Sequence, residues 1–379
     1  MTTAAQRKTH EKWLHELTAI PTAAGREDRV IAWVEHWVKQ RRNLRLRRDR
    51  AGNLIITRTG RRKGKPIYIT GHLDHPGFVV RRVLDDRTLE LEFRGGVHDP
   101  YFEDARIELY DAEDGVHRAT LSGLDSKAKP FKRATARLTK KTDALAPGDI
   151  GRWAFRGPLP RVRDGLFHTY ACDDLAAVAA AFAALDLLRR KQSTTNVGLF
   201  LTRAEEVGFI GTLAACTAQS LPKSARLLCL ENSRSFPESP IGGGPILRVG
   251  DRLSVFSPAL TDRIGALLMD HEKKHPDFKW QRKLMPGGAC EATAFSTYGY
   301  ESTCICFALG NYHNMTDIDG VVAGSRPAKV GPEHISIDDF HGMVEMLTIC
   351  ATKLDSARLP SLEGRLDKLL ASHRHVLEE

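Results

Sequence analysis

No stretch of this sequence stays apolar for long enough to cross a bilayer, and its amino terminus, "MTTAAQRKTHEKW", has no hydrophobic core of a secretion signal. The expectation is a cytoplasmic protein with no membrane partner. The seven cysteines are odd in number and scattered, with no C-x-x-C pair, which argues against zinc-ribbon and thioredoxin chemistry. Cys304 and Cys306, inside "STCICFALG", read as reduced thiols packed as small hydrophobes. No G-x-S-x-G frames a serine nucleophile, and "GGGP" at Gly242 to Pro245 lacks the G-K-[ST] that completes a phosphate loop. Aromatic residues are missing where a single-strand nucleic-acid platform needs them. The net charge of +9 gathers in "KQRRNLRLRRDR" (Lys39 to Arg50), "RTGRRKGK" (Arg58 to Lys65) and "KAKPFKRATARLTKK" (Lys127 to Lys141), and no stacking residues are interleaved through these runs in the way such a platform requires. A solvated basic face or an attraction for acidic ligands is the reading, and nucleic acid is not an expected partner.

What is present is an ordinary globular composition, 42% hydrophobic and 27% charged over 379 residues, enough for a large core and a second module. Trp13, Leu14 and Leu17, then Val30, Ile31, Trp33, Val34, Trp37 and Val38, recur at helical spacing on either side of "IPTAAGRED". "NLRLRRDRAGNLIITRTG" reads as a hairpin-like strand pair and "PIYITGHLD" as a buried strand. From Arg81 to Asp164 the texture changes to short alternating segments such as "TLELEFRGG", with frequent turns and no helical period. The α/β pattern resumes with "CDDLAAVAAAFAALDLLRR" and continues through strands near 196–202, 227–231 and 303–309 and a helix near 336–354, with a further amphipathic helix after Pro360. The expected architecture is an α/β three-layer sandwich around a mixed, mainly parallel sheet, residues 1–80 and 165–379, interrupted by a small all-β, barrel-like insert at 81–164.

The chemistry-bearing residues fall at predicted strand ends and helix starts, where open α/β sheets build their sites. They are His72 and Asp74 in "ITGHLDHPGF", Asp173 in "ACDDLAA", Glu205 and Glu206 in "TRAEEVGF", Glu231 in "LLCLENS" and His313 in "ALGNYHNM". Imidazole and carboxylate together form the donor set of catalytic zinc, cobalt or manganese, and two histidines with three carboxylates suffice for two ions if one carboxylate bridges. Asp173 is the candidate bridge, with His72 and Glu231 on one ion and Glu206 and His313 on the other. Asp74, two residues beyond His72 on the same side of a strand, is placed to accept the second imidazole N–H. Glu205 remains unligated and free to move a proton.

The order H-x-D, D-D, E-E, E, H resembles that of the glutamyl and deblocking aminopeptidases, dinuclear metallopeptidases that form tetrahedral shells. The resemblance runs from "GHLDHPGF" through "CDDLAA", "EEVGFIGT" and "GGACEATAF" to "NYHNM", and the β-module ending in "PGDIG" falls where that family carries its insert. It implies metal ligands His72, Asp173, Glu206, Glu231 and His313, with Asp74 orienting and Glu205 as general base. It also implies two divalent ions per chain (zinc first, cobalt or manganese as alternatives), peptide substrates, and a homo-oligomer that in this family can be a dodecamer. Three features depart from the pattern: Glu231 stands where aspartate is usual, Ala289-Cys290-Glu291-Ala292 replaces "G-T-D-A", and the arginine usual just before the last histidine is replaced in "GNYHN". Related deacylases and carboxypeptidases also use glutamate at the first of these positions, so an amidohydrolase or carboxypeptidase is the alternative within the same chemistry, and a polyanion-binding protein the alternative outside it. Glu291 is a candidate for binding a free α-amino group.

Overall fold

The computed structural model describes residues 2–60, 62–355 and 362–378. Its centre is an eight-stranded sheet in the order Leu44–Arg48, Leu54–Arg58, Thr195–Thr202, Lys63–His72, Arg226–Arg234, Glu301–Leu309, Ile246–Gly250 and Gln281–Leu284. The four middle strands, from Thr195–Thr202 to Glu301–Leu309, run parallel, and Leu54–Arg58 and Ile246–Gly250 flank them antiparallel. The central strands are buried on both faces and therefore read as continuous apolar runs. Alternate residues nonetheless enter different cores: Leu228 and Leu230 join one apolar layer, Leu227 and Cys229 the other.

The larger layer packs helices Ala4–Ala19, Asp28–Lys39, Leu175–Arg190, Pro258–Lys274 and Ile337–Lys353 against one face. Leu175–Arg190 is alanine-rich and buried from Leu175 through Leu188, because small side chains let neighbouring helices and the sheet approach on every side. Trp33 and Trp37 pack on Phe182 with ring centroids 5.4 and 4.6 Å apart. Helices Ile210–Ala218 and Glu291–Thr297 cover the other face.

Strands Gly77–Val83, Thr88–Arg94, Arg106–Tyr110, Val116–Asp125, Lys132–Leu138 and Ile150–Trp153 close into a six-stranded antiparallel barrel filled by Phe78, Phe93, Phe102 and Trp153. Closure leaves this module no unpaired edge. The barrel leaves the main sheet just after His72, so its loops stand beside that strand's carboxyl end. A three-stranded sheet, Arg161–Arg163, Leu166–Thr169 and Glu333–Ser336, lies near the return to the α/β part. All seven cysteines are free and buried. The tail helix is Leu362–His373; the expected helix start just after Pro360 lies outside the described residues. No helix among the described residues is long and apolar enough to cross a membrane.

Candidate metal centre

The parallel strands deliver the site. His72 is the last residue of its strand, Asp173 stands one residue before the Asp174 that caps helix Leu175–Arg190, Glu205 and Glu206 follow Thr195–Thr202, Glu231 lies in Arg226–Arg234, and His313 follows Glu301–Leu309. These six residues come together. His72 Nε2 is 3.4 Å from Asp173 Oδ1 and 3.6 Å from Glu231 Oε2, and His313 Nε2 is 3.4 Å from both Asp173 Oδ2 and Glu206 Oε1. Each oxygen of Asp173 thus faces one histidine and its carboxylate.

The tautomers follow from the opposite side of each ring. His72 Nδ1 donates to the Asp74 carbonyl at 3.1 Å and His313 Nδ1 to the Gly96 carbonyl of the barrel at 2.7 Å. In the neutral rings both Nε2 lone pairs then point at carboxylate oxygens, an acceptor facing acceptors, which is stable only with positive charge between them. Ligand atoms held about 2.0–2.1 Å from a tetrahedral zinc are roughly 3.3 Å apart, close to the four separations here. Asp173 Oδ1 and Glu206 Oε1 are buried without hydrogen-bond partners, and orphaned buried oxygens of this kind are what a cation satisfies. The residues present therefore fit a metal.

The electrostatics agree. Burial opposes charge on His72 and His313, but the negative charge of Glu205 and Glu206 respectively, with that of the carboxylates around each Nε2, outweighs it and raises the proton affinity of both rings. Burial would raise Asp173, yet the two histidines hold it below the ordinary range. Burial and the Asp173 charge push the Glu231 carboxyl up to about 7. Glu205, 8% exposed, is raised well above the usual value by burial, with Glu231, Glu206 and Glu291 adding and His72 opposing.

Asp74 acts differently from the expectation that its carboxylate accepts the second His72 N–H. Its carboxylate stands 3.6 Å from His72 Nδ1, the carbonyl being nearer, and its two oxygens accept the backbone N–H groups of Glu205 and Glu206, both at 3.0 Å. One side chain therefore sets the position of both glutamates. Glu291 is 2% exposed and accepts from the Thr212 hydroxyl; Glu231 lines the adjoining cavity and Glu291 does not.

Sequence reasoning missed three supporting residues. Buried Glu333 accepts from the backbone N–H groups of Cys172 and Asp173 with one oxygen and of His313 with the other, tying together loops 140 residues apart (313 − 173). His75 bridges the Asp173 carbonyl (2.6 Å) and Asn314 Oδ1 (3.1 Å). Arg248, 2% exposed, is the third, and a lone arginine in the apolar run "PILRVG" was its signal. His75 stood beside the quoted H-x-D, whereas no local pattern marks Glu333.

The cavity against Glu231 and His313 has a volume of about 490 Å³. Its walls include Gly96 and His98 from the barrel, Phe236, Met285 and the arginines Arg234, Arg248 and Arg252. Arg248 donates to Ser233 Oγ at 3.1 Å, its Nε is buried without a partner, and it forms no ion pair among the described residues.

An α/β sandwich with clustered imidazole and carboxylate ligands at the carboxyl ends of its parallel strands, a spare buried glutamate and a substrate-sized cavity define a metal-dependent peptidase. The chain belongs to the M42 glutamyl aminopeptidase family, whose model matches residues 52–326, well over half of it, and it is a metallo-aminopeptidase. A relative from Acetivibrio thermocellus, named as an aminopeptidase only provisionally, is 23% identical over 325 residues, covering 82% of this chain and 95% of its own. In fold the chain is similar to the TET1 peptidase of Pyrococcus horikoshii (TM-score 0.71, 17% identity, 91% of this chain and 99% of that one). It is also similar to an aminopeptidase of the archaeon Desulfurococcus kamchatkensis (TM-score 0.71, 19% identity, 94% and 99%).

Proposed function

We propose that the chain removes N-terminal residues, acidic ones by preference, from peptides, using two divalent cations that share Asp173. The two-sided geometry of Asp173 carries this reading: His72 and Glu231 complete one ligand set, Glu206 and His313 the other, and Glu205 is left over. When bound, the ions polarise the scissile carbonyl and lower the pKa of the attacking water. The donor set favours zinc, with cobalt or manganese as substitutes. Glu205 takes the proton from that water and returns it to the leaving amine nitrogen; its buried, proton-avid carboxyl suits both steps. Asp74 and Glu333 act as positioning residues, holding the backbone of the glutamate pair and of the Asp173 and His313 loops.

Arg248 supports the acidic preference. A desolvated guanidinium that feels the Glu231 charge but forms no ion pair among the described residues, in the wall of the cavity, has donors left for an acidic side chain entering there. The description of the matching family as glutamyl aminopeptidases agrees. The same arginine would also suit the carboxylate of an N-acyl amino acid, which keeps a deacylase as the second reading. The barrel, taken as an insert at 81–164 in a domain formed by 1–80 and 165–379, supplies the cavity's outer wall. Assembly as a homo-oligomer in the cytoplasm completes the reading, since the Pyrococcus horikoshii TET1 peptidase, by its description, forms a tetrahedron or a larger octahedral shell.

The test is metal content together with turnover of free and N-acetylated glutamyl, leucyl and lysyl amides by wild type and Glu205→Gln. Two ions per chain, turnover of free glutamyl amide, and a fall in kcat of about 10²–10⁴ in the mutant with its metal retained are the expected results. Activity confined to acetylated substrates moves the assignment to a deacylase, and an unchanged kcat in Glu205→Gln removes that residue's role.

A further inference from the structure

The basic run Arg58 to Lys65 takes no part in the metal centre, yet its end lines a second pocket. This pocket, about 200 Å³, sits where strand Leu54–Arg58 ends, beside the turn after helix Leu175–Arg190, and is walled by Arg58, Arg62, Arg189, Thr59, Ser193 and Thr194 with two side-chain amides and no carboxylate. It lies at the amino end of strand Thr195–Thr202, whose other end leads to Glu205. At about 3.3 Å per residue the two sites are roughly 20 Å apart.

Part of this arrangement is structural. Arg58 donates to the Leu188 carbonyl (3.1 Å) at the end of the helix and to the Thr195 carbonyl, and Arg189 is bonded to Asp186 at 2.7 and 3.0 Å. The helix's other terminal carbonyls are also occupied: Leu187 accepts from Lys191 N–H and Arg189 from Gln192 N–H. Capping does not account for the remainder. Arg58 is 5% exposed and its Nε is buried without a partner, as is the Nε of Arg62. Neither arginine forms an ion pair among the described residues, although the two repel each other. Asp186, which pairs with Arg189 of the pocket wall, is shared with Arg41 and Arg190. The wall brings together two arginines with unpartnered Nε–H groups and three hydroxyls, of which Ser193 also meets Thr195 Oγ1 at 2.9 Å, and guanidinium and hydroxyl donors are the groups that hold a tetrahedral oxyanion.

We propose that this pocket binds a phosphate group, either inorganic phosphate or the phosphate of a small phosphomonoester, at a site separate from the metal centre. The inference does not depend on the aminopeptidase reading. Arg62 is the informative position, because it makes no hydrogen bond or ion pair among the described residues and lies outside the catalytic machinery, so Arg62→Gln is expected to fold and to keep the wild-type kcat. Calorimetric titration and thermal unfolding of the metal-loaded full chain, at constant ionic strength, would use inorganic phosphate and glycerol 3-phosphate as probes and chloride as the control. Wild type is expected to bind phosphate and to rise in Tm relative to chloride, and Arg62→Gln to bind roughly tenfold or more weakly. Tighter binding of inorganic phosphate identifies the free anion as ligand, and tighter binding of glycerol 3-phosphate identifies the ester. No rise over chloride in wild type, or an equal affinity in Arg62→Gln, overturns the proposal; the second result would place the phosphate elsewhere, such as at the metal centre.

Discussion

Substituting Asp74 by asparagine changes one atom and tests how the two glutamates are held. Asp74 is fully buried, and its oxygens receive the Glu205 and Glu206 N–H groups at 3.0 Å each. Asparagine keeps one acceptor. The other becomes an amide donor facing a buried backbone donor, and a charge-assisted hydrogen bond is worth about 1.5–3 kcal/mol, with a comparable cost for a buried N–H left unpaired. A total near 3 kcal/mol, at about 1.4 kcal/mol per decade, corresponds to roughly 100-fold, divided between metal affinity through Glu206 and kcat through Glu205. The assay is a chelator competition for metal Kd beside kcat on the preferred aminoacyl amide, with circular dichroism as a control for folding. A folded Asp74→Asn protein whose metal Kd and kcat both lie within threefold of wild type would refute the claim that this carboxylate sets the pair.

Two further outcomes follow from buried basic side chains. Arg248→Met keeps the volume of the cavity wall but removes its charge, so kcat/KM on glutamyl amide should fall by roughly 10²-fold while leucyl amide is spared or improved; equal losses on both would show that Arg248 is structural. Burial lowers the pKa of His10 from 6.5 to about 4 against the opposing Asp186 charge, so the unfolded chain binds the proton first. The stability this neutral ring contributes is complete above about pH 6.5 and is lost as pH falls toward 4. Discounted for solvent screening, it amounts to about 2 kcal/mol, to be read as a narrowing gap in urea midpoint between wild type and His10→Gln from pH 7 to 4.5, and parallel profiles would refute it.

Elements with strong periodicity were legible in the sequence to within a few residues. The helix expected near 336–354 is Ile337–Lys353, and the strand expected at 196–202 is Thr195–Thr202. The seven polar residues singled out around the metal centre were legible because each stands where an apolar run stops, a local signal of a strand end. What escaped notice is carried by long-range contacts. Glu333 sits in "GPEHISIDDF" with nothing local to distinguish it, and acquires its role only when the chain brings Cys172, Asp173 and His313 to its two oxygens. The burial of Glu291 is of the same kind: the sequence offers an acidic residue near the site, and only the fold sets its carboxylate against the Thr212 hydroxyl. The barrel was visible as a change of texture, but the contact of Gly96 with the His313 ring depends on how the module docks.

The sheet, unlike the barrel, is open at both ends. One edge is Leu44–Arg48, "LRLRR", with Arg45, Arg47 and Arg48 on its exposed positions, and the other is Gln281–Leu284, "QRKL", again carrying two cations. An unpaired strand offers a row of backbone donors and acceptors to any other chain in extended conformation, and closely spaced like charges make that approach repulsive. Part of the surplus charge that first suggested a polyanion partner thus works as insulation. Arg48 and Arg282 are partly offset by Glu35 and Asp262, and the remaining edge charge disfavours the addition of another chain's strand on either side.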